Sequence, residues 1–240
     1  MNISKKYKKW KKSYRSRRLY CASDRYPFYD IAAKYLPRDT NAVIVDVGAG
    51  QGKFADYLDL SNRYENVYLL DANEATIEDV KKKYQNTILY RAPDPLPFES
   101  NSVSYVHCSH ILEHLQHQEL YRLLKEIDRI LGNHGILVIS APILWSKFYD
   151  DLSHVRPFNP AVFFSYLCHQ SKDRSTYRIS HNYAVVDLVY RYTTVDFDEG
   201  WGSTIPMLDF IIQVSKRIVS SFGFKRYKKN GFTMVLVKEL

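Results

Sequence analysis

The sequence has little cysteine and no long apolar run. Its three cysteines, Cys21, Cys108 and Cys168, are too few and too widely spaced for a disulfide framework or a structural zinc site. No stretch approaches the roughly 20 consecutive apolar residues that cross a bilayer, and the first residues lack the apolar segment of a secretory signal. We therefore expect a protein of a reducing compartment, located in the cytoplasm.

Acidic residues are absent from positions 1–23, which hold nine of the 34 lysines and arginines. The other 25 basic residues are balanced by 26 acidic ones, so the formal charge of +8 belongs to this segment. Within it Ile3, Tyr7, Trp10 and Tyr14 recur at helical spacing. We interpret the segment as a basic tail, either disordered or an amphipathic helix. As a helix it predicts peripheral contact with the anionic inner face of the membrane, with nucleic-acid phosphate as the alternative partner.

Helical and strand patterns alternate between about residues 40 and 140. Short apolar runs predict buried parallel strands, and amphipathic stretches between them predict helices. The predicted strands are 41–47, 67–70, 87–90, 103–108 and 135–140, and the predicted helices include 75–84 and 118–131, the latter ended by Gly132. This order predicts an α/β fold with a Rossmann-like, doubly wound, mostly parallel seven-stranded sheet.

The second half of the chain is less regular. Residues from about 143 to 205 are rich in aromatic side chains and histidine, and we interpret them as an insertion over the sheet. A helix is predicted over 207–222. An antiparallel C-terminal strand is predicted over 231–237, after a Lys-Lys-Asn-Gly hairpin turn. We expect residues 24–240 to form a single domain.

A glycine-rich loop follows the first predicted strand. Gly48, Gly50 and Gly52 form a G-x-G-x-G pattern, and the acidic Asp46 lies two residues before it. Glycine lets the backbone turn tightly and approach a ligand closely. The third glycine comes one residue earlier than in the dinucleotide fingerprint G-x-G-x-x-G. The spacing therefore indicates a ligand other than a dinucleotide.

Three segments carry a family resemblance. VDVGAGQGKF, at 45–54, resembles the first motif of class I S-adenosylmethionine-dependent methyltransferases. APDPLPFESNSVSYVHCSHILEHL, at 92–115, resembles the third and fourth motifs of the subgroup called methyltransferase types 11 and 12, and LGNHGILVISAP, at 131–142, resembles its fifth-strand segment. The resemblance covers about residues 40–142. It implies an enzyme that uses S-adenosyl-L-methionine as its cofactor.

The resemblance also implies where the cofactor binds. In this family an acidic residue at the end of the second strand accepts hydrogen bonds from the ribose hydroxyls, and Asp71 holds that position. Ala92 stands where the family usually has an acidic residue for the adenine amino group, so Asp94 is the predicted replacement. The predicted cofactor-binding residues are Asp46, Gly48, Ala49, Gly50, Gly52, Asp71, Ala72, Asn73, Asp94 and Ser109.

Histidines crowd the end of the fourth predicted strand. His110 and His114 are about one helical turn apart, a spacing that metal ligands use. The resemblance implies instead that the Leu-Glu-His residues cap and pack the helix beside the cofactor, so no metal is predicted. Ser109 and His110 then line the methionine and acceptor end, and His114 contributes to acceptor binding.

The segment DLSHVRPF, at 151–158, resembles the D-x-x-H-V-R-x-F segment of methyltransferases encoded near glycan-assembly genes, where it closes over the active site. Methyl transfer requires that the acceptor be aligned and its proton removed, and a neutral imidazole suits the second task near pH 7. We predict His154 as the catalytic base, His110 as the second candidate and Arg156 as an acceptor-binding residue. In the alternative, His154 only pins the loop and Arg156 pairs with a neighbouring aspartate.

These features predict O-methylation of a sugar, a glycan end or a lipid-linked saccharide, with the insertion at about 143–205 binding the acceptor. An RNA methyltransferase is one alternative, supported by the basic tail. The fourth strand, however, ends in His-Cys-Ser-His instead of the Asn/Asp-Pro-Pro-aromatic motif of base-amino methylating enzymes. An inactive cofactor-binding subunit that regulates a partner is the other alternative.

Overall fold

The computed structural model describes residues 3–168, 177–196 and 202–239. Its helices are α1 (Ile3–Leu19), α2 (Tyr26–Ala33), α3 (Lys53–Tyr57), α4 (Leu60–Arg63), α5 (Glu74–Lys81), α6 (His117–Ile130), α7 (Pro160–Leu167) and α8 (Pro206–Ser221). Its strands are β1 (Ile44–Val47), β2 (Val67–Asp71), β3 (Thr87–Leu89), β4 (Val103–Ser109), β5 (Leu131–Pro142), β6 (Tyr183–Asp196) and β7 (Lys225–Lys238). Single turns of 3-10 helix lie at Leu112–His114 and Phe148–Asp150.

The seven strands form one sheet in the order β3-β2-β1-β4-β5-β7-β6. β1 pairs in parallel with β2 and β4, and β4 pairs in parallel with β5. β7 runs antiparallel to β5. The predicted fold class, a mostly parallel Rossmann-like sheet with an antiparallel C-terminal strand, is confirmed.

The strand register determines where the functional loops meet. Val47, the last residue of β1, lies opposite Leu70 of β2 and Cys108 of β4. All four residues of β1 are buried, as expected for a central parallel strand with helices on both faces. The segments that follow β1, β2 and β4 therefore emerge side by side at one edge of the sheet, where ligands bind in such folds.

Two side chains of α6 hold the segment between β3 and β4. The Arg129 guanidinium donates to the carbonyl oxygens of Leu96 (2.9 Å) and Phe98 (2.7 Å). Glu126 accepts from the Leu96 amide (2.9 Å) and pairs with Arg129 (2.7 Å). The hydrogen bond from Arg129 lowers the pKa of Glu126. The backbone of residues 96–98, the Leu-Pro-Phe of the segment at 92–115, is thus held by side chains of α6.

The predicted end of α6 is wrong. The helix ends at Ile130, and Gly132 lies within β5 instead of closing the helix. A loop amide performs the capping, because Asn101 donates to the Arg129 carbonyl at 2.9 Å. A glycine with left-handed backbone is therefore not needed at this helix end.

Two predictions in the second half are also wrong. The Lys-Lys-Asn-Gly segment at 228–231 lies inside β7 and does not form a hairpin turn. Side chains of the neighbouring strand contact this stretch: Arg191 donates to Asn230 (3.2 Å), and the Lys229 ammonium lies 3.6 Å from the Tyr190 ring centroid. The region predicted to be irregular contains β6, which the sequence analysis missed.

The chain divides into two compact units. One contains residues 1–24 and 190–230, and the other contains residues 25–189 and 231–240. Every residue of the predicted site belongs to the second unit. None of the described helices is long and apolar enough to span a membrane.

The first unit includes α1, which accounts for most of the predicted basic tail. The rings of Tyr7, Trp10 and Tyr14 stack along this helix with centroid separations of 5.9 and 5.5 Å. All three are exposed, and Tyr14 also meets the edge of Tyr227. The side chain of Ile3, predicted to extend this face, lies outside the described residues.

Candidate active site

The glycine loop makes a tight turn from β1 into α3. Gly48, Gly50 and Gly52 have φ angles of +74°, +53° and +73°, a region that favours glycine. A Cβ at Gly48 would lie 3.1 Å from the Cβ of Ile111, and one at Gly52 would lie 3.2 Å from the Tyr84 ring. The turn therefore requires glycine for its backbone angles and, at two positions, for space.

Asp71 fixes this loop from the end of β2. One carboxylate oxygen accepts from the Gly50 amide (2.8 Å), and the other accepts from the Asn73 amide (2.9 Å). A carboxylate has about four acceptor directions, so both oxygens retain capacity for further donors. Asn73 in turn caps α5 by accepting from Thr76 (3.1 Å), and Ala72 is exposed between the two.

Asp46 lies beneath the loop. Its carboxylate is 2% exposed and lies 2.7 Å from Nδ1 of His107, whose ring stacks on Phe54 at 3.7 Å. The structure thus gives Asp46 a buried partner that the sequence analysis did not identify. Its direct contact with a cofactor stays a prediction. Asp94 is exposed in the segment after β3, and its role with adenine also stays a prediction.

The end of β4 holds a strained histidine. Ser109 is the last residue of the strand, and the next residue, His110, has a φ of +58°, which is uncommon for a residue other than glycine. Its amide donates to the Ser140 carbonyl at 2.8 Å, so the chain is held in this conformation by β5. Such strain is concentrated at functional sites.

A carboxylate orients that histidine. Nδ1 of His110 lies 2.9 Å from Oε1 of Glu113, which is 1% exposed. Burial raises the pKa of Glu113, but the hydrogen bond and the charge of His110 outweigh this effect and lower it. When the imidazole is neutral, the carboxylate therefore favours the form with the proton on Nδ1 and the lone pair on Nε2.

Glu113 also anchors the segment that was predicted to close over the site. Its backbone carbonyl accepts from the amides of Val155 (2.8 Å) and Arg156 (3.2 Å). Nδ1 of His154 is bonded to the Phe148 carbonyl at 2.7 Å. One buried glutamate thus contacts the ring of His110 and the backbone of the segment that carries His154. From the sequence, the Leu-Glu-His motif indicated only a capping and packing role for these residues.

His114 lies beside His154, with ring centroids 5.3 Å apart. Nδ1 of His114 is bonded to the Ser153 carbonyl at 3.0 Å. Nε2 of His154 lies 3.8 Å from Oδ2 of Asp151. Glu113, His114 and His154 each present one ligand-type atom, and these three atoms lie within 4.8 Å of one another.

A cavity of about 890 Å³ lies between α6 and the segment that follows His154. Its lining includes aromatic rings and two arginines: Tyr121, Phe158, Tyr166, Tyr177, Arg122 and Arg156. Arg156 has no ion-pair or hydrogen-bond partner for its guanidinium in the described part of the chain. The pairing with Asp150 or Asp151 that the alternative expected is therefore not found among the described residues. The glycine loop and Asp71 do not line this cavity.

Residues 45–139 match the family model described as a methyltransferase domain. No curated protein sequence matches the chain.

Solved structures share the fold. A SAM dependent methyltransferase from Archaeoglobus fulgidus has a TM-score of 0.57 at 18% identity, over 90% of this chain and 95% of that one. YcgJ from Bacillus subtilis has a TM-score of 0.59 at 15% identity, over 88% and 98%. Geranyl diphosphate C-methyltransferase from Streptomyces coelicolor A3(2), crystallised with Mg²⁺, geranyl diphosphate and S-adenosyl-L-homocysteine, has a TM-score of 0.57 at 12% identity, over 89% and 77%.

At these identities the likeness to solved structures shows a shared fold, and the family match adds the methyltransferase domain. The match of residues 45–139 to a methyltransferase domain, together with the shared fold, supports an S-adenosylmethionine-dependent methyltransferase with S-adenosylmethionine as its cofactor.

Proposed function

We propose that this enzyme transfers the methyl group to a hydroxyl oxygen of a sugar, a glycan end or a lipid-linked saccharide. The observation that carries this proposal is the cavity lined by aromatic rings and by Arg156. Aromatic faces offer flat apolar surface on which a sugar ring packs, and a guanidinium binds a phosphate or carboxylate in a bidentate manner. The resemblance of the segment at 151–158 to that of methyltransferases encoded near glycan-assembly genes supports the same acceptor class.

On this proposal the cofactor lies along the edge formed by the ends of β1, β2 and β4. Asp71 accepts the ribose hydroxyls with the lone pairs that Gly50 and Asn73 leave available. The open backbone from Gly48 to Gly52 accommodates the methionine part, and Ser109 lines its far end.

Replacing Asp71 by Ala should weaken S-adenosylmethionine binding by about 10- to 100-fold. A hydrogen bond to a charged group contributes about 1.5–3 kcal/mol, and the variant loses the charged acceptor of the ribose hydroxyls. Isothermal titration calorimetry measures this, and Asp79→Ala, which alters an exposed aspartate on α5, is the control. Unchanged affinity in the Asp71 variant would remove the ribose assignment. Asp71 also holds the Gly50 amide, so the thermal unfolding temperature of the variant shows whether the protein itself has been destabilised.

The acceptor hydroxyl must lose its proton as the methyl group moves. The acceptor oxygen forms a bond to the methyl carbon, the carbon–sulfur bond breaks, and the sulfonium becomes a neutral thioether. We assign the proton to Nε2 of His110, because Glu113 holds Nδ1 of the same ring and the residue directly follows β4. His154, the first candidate from the sequence, then positions the acceptor beside Arg156.

Replacing His110 by Gln should lower kcat by about 10²- to 10⁴-fold, the usual contribution of a general base. S-adenosylmethionine affinity should stay unchanged, since the imidazole acts on the acceptor. Steady-state kinetics measure this, with the exposed His181→Ala as a histidine control. Full turnover in the His110 variant would transfer the role to His154, which His154→Gln then tests.

The acceptor class is identified by incubating the enzyme with S-adenosylmethionine labelled in its methyl group and a cell extract. We expect the label in the saccharide or lipid-linked saccharide fraction, and the label should be stable to mild base, as expected of an ether. Label in RNA would support the alternative function instead. With S-adenosylmethionine at a concentration that does not saturate the variant, transfer should fall in Asp71→Ala, which controls for non-enzymatic methylation.

We also propose that the first structural unit binds an anionic membrane surface, where a lipid-linked acceptor would be located. α1 carries the basic residues of the tail and exposes the stacked rings of Tyr7, Trp10 and Tyr14. In the same unit α8 exposes apolar side chains at helical spacing: Met207, Phe210, Ile211, Val214 and Ile218. Basic charge with interfacial aromatic rings and an exposed apolar helix face is typical of peripheral membrane binding.

Replacing Lys8 and Lys12 of α1 by Gln should weaken binding to vesicles that contain phosphatidylglycerol by tenfold or more, since each basic residue near such a surface contributes about 1 kcal/mol. Sedimentation with vesicles measures this, and added salt should weaken the wild type. Lys81→Gln with Lys82→Gln, at the C-terminal end of α5, is the charge-matched control. Equal binding by the two double variants, or binding to RNA alone, would contradict the proposal.

A further inference from the structure

We propose that Glu113, His114 and His154 form a binding site for a divalent transition-metal ion, with Zn²⁺ as the best-suited ion. The family match assigns no metal to these residues, and the sequence analysis predicted none. The proposal goes beyond the proposed function and does not depend on the identity of the acceptor.

The two histidines are oriented as metal ligands usually are. Nδ1 of His114 is bonded to the Ser153 carbonyl (3.0 Å), and Nδ1 of His154 is bonded to the Phe148 carbonyl (2.7 Å). A carbonyl accepts only from a protonated nitrogen, so each ring carries a proton on Nδ1, and in its neutral form each ring has its lone pair on Nε2. A backbone carbonyl behind each imidazole is the common arrangement in protein metal sites, because it fixes the tautomer and the ring orientation.

The carboxylate supplies the second, independent observation. Glu113 is 1% exposed, and its Oε1 is bonded to His110. Its Oε2 is buried and has no hydrogen-bond partner among the described residues. A buried carboxylate oxygen without a donor is costly and uncommon, and it is explained by a cation that binds there.

The geometry suits a shared ion. One ligand-type atom from each of the three residues lies within 4.8 Å of the other two, so the three can bind one ion at the usual distance of about 2.0–2.2 Å if their side chains move toward it. Two imidazoles and one carboxylate favour zinc and its neighbours over Mg²⁺ or Ca²⁺, which prefer oxygen ligands. Three protein ligands also leave a coordination position for water or a hydroxyl.

The three residues come from both sides of the site. Glu113 and His114 lie just after β4, whereas His154 lies in the segment at 151–158. An ion shared by them would hold these two segments together. Arg156, two residues after His154, lines the cavity. We therefore expect metal binding to order the acceptor side of the site.

Cobalt is the probe, because Co²⁺ replaces Zn²⁺ and its visible absorption reports the ligands. The full-length protein, stripped with a chelator and desalted, should bind one equivalent of Co²⁺, and Zn²⁺ should displace it whereas Mg²⁺ should not. His114→Ala, His154→Ala and Glu113→Gln should each weaken binding by roughly 100-fold or more. His181→Ala, which removes an exposed histidine outside the cluster, should bind as the wild type does.

The Co²⁺ spectrum and the Co²⁺ affinity are both measured without turnover. A protein that does not bind the metal is therefore distinguished from one that does not methylate a saccharide. Far-UV circular dichroism and S-adenosylmethionine binding show whether each variant is folded. Should Glu113→Gln be misfolded, the two histidine variants decide the result. The absence of a Co²⁺ spectrum in the wild type, equal affinity in the ligand and control variants, or a thiolate-to-cobalt charge-transfer band from Cys21 would overturn the proposal.

Discussion

The buried carboxylate of Glu113 is the constraint on which the acceptor side of this site depends. A carboxylate out of contact with water needs donors or cations, because its desolvation is otherwise uncompensated. Here Oε1 is bonded to His110, and the carbonyl of the same residue accepts from the amides of Val155 and Arg156. One residue thus holds the histidine at the end of β4 and fastens the segment that carries His154. The two catalytic candidates are therefore positioned by one residue, His110 through the Glu113 carboxylate and the segment of His154 through the Glu113 backbone carbonyl.

The cofactor side depends on a different constraint, the common direction of β1, β2 and β4. Because Val47 lies opposite both Leu70 and Cys108, the residues that follow the three strands are neighbours although they are distant in sequence. This parallel pairing brings Asp71, at the end of β2, within hydrogen-bond distance of the Gly50 amide in the loop after β1. Asp46 and His107 fill the space below with a buried pair, which supports the loop without exposing either group.

The sequence predicted this half of the molecule because its signals are local. β1 is a short run of β-branched residues broken only by Asp46, and the glycines at 48, 50 and 52 have the positive φ angles that the loop requires. β6 was missed because most of its residues are only partly buried, so neither an apolar run nor a clean alternation marks it. The end of α6 was misassigned because its cap comes from Asn101, a residue about 30 positions away that no local pattern indicates.

The grouping of Glu113, His114 and His154 could not be predicted for the same reason, since it is created by a contact between segments 40 residues apart. The sequence showed only that His110 and His114 share a spacing, and the structure gives these two histidines different partners. The glutamate can therefore serve a base and an ion at once: Oε1 orients His110, and Oε2, which is buried without a partner among the described residues, would be available to the proposed metal. Leaving Oε2 without a partner would cost about 1–3 kcal/mol. A cation there relieves that cost and strengthens the hold of Glu113 on both segments, so the same buried charge that orients the base also favours closure of the acceptor side.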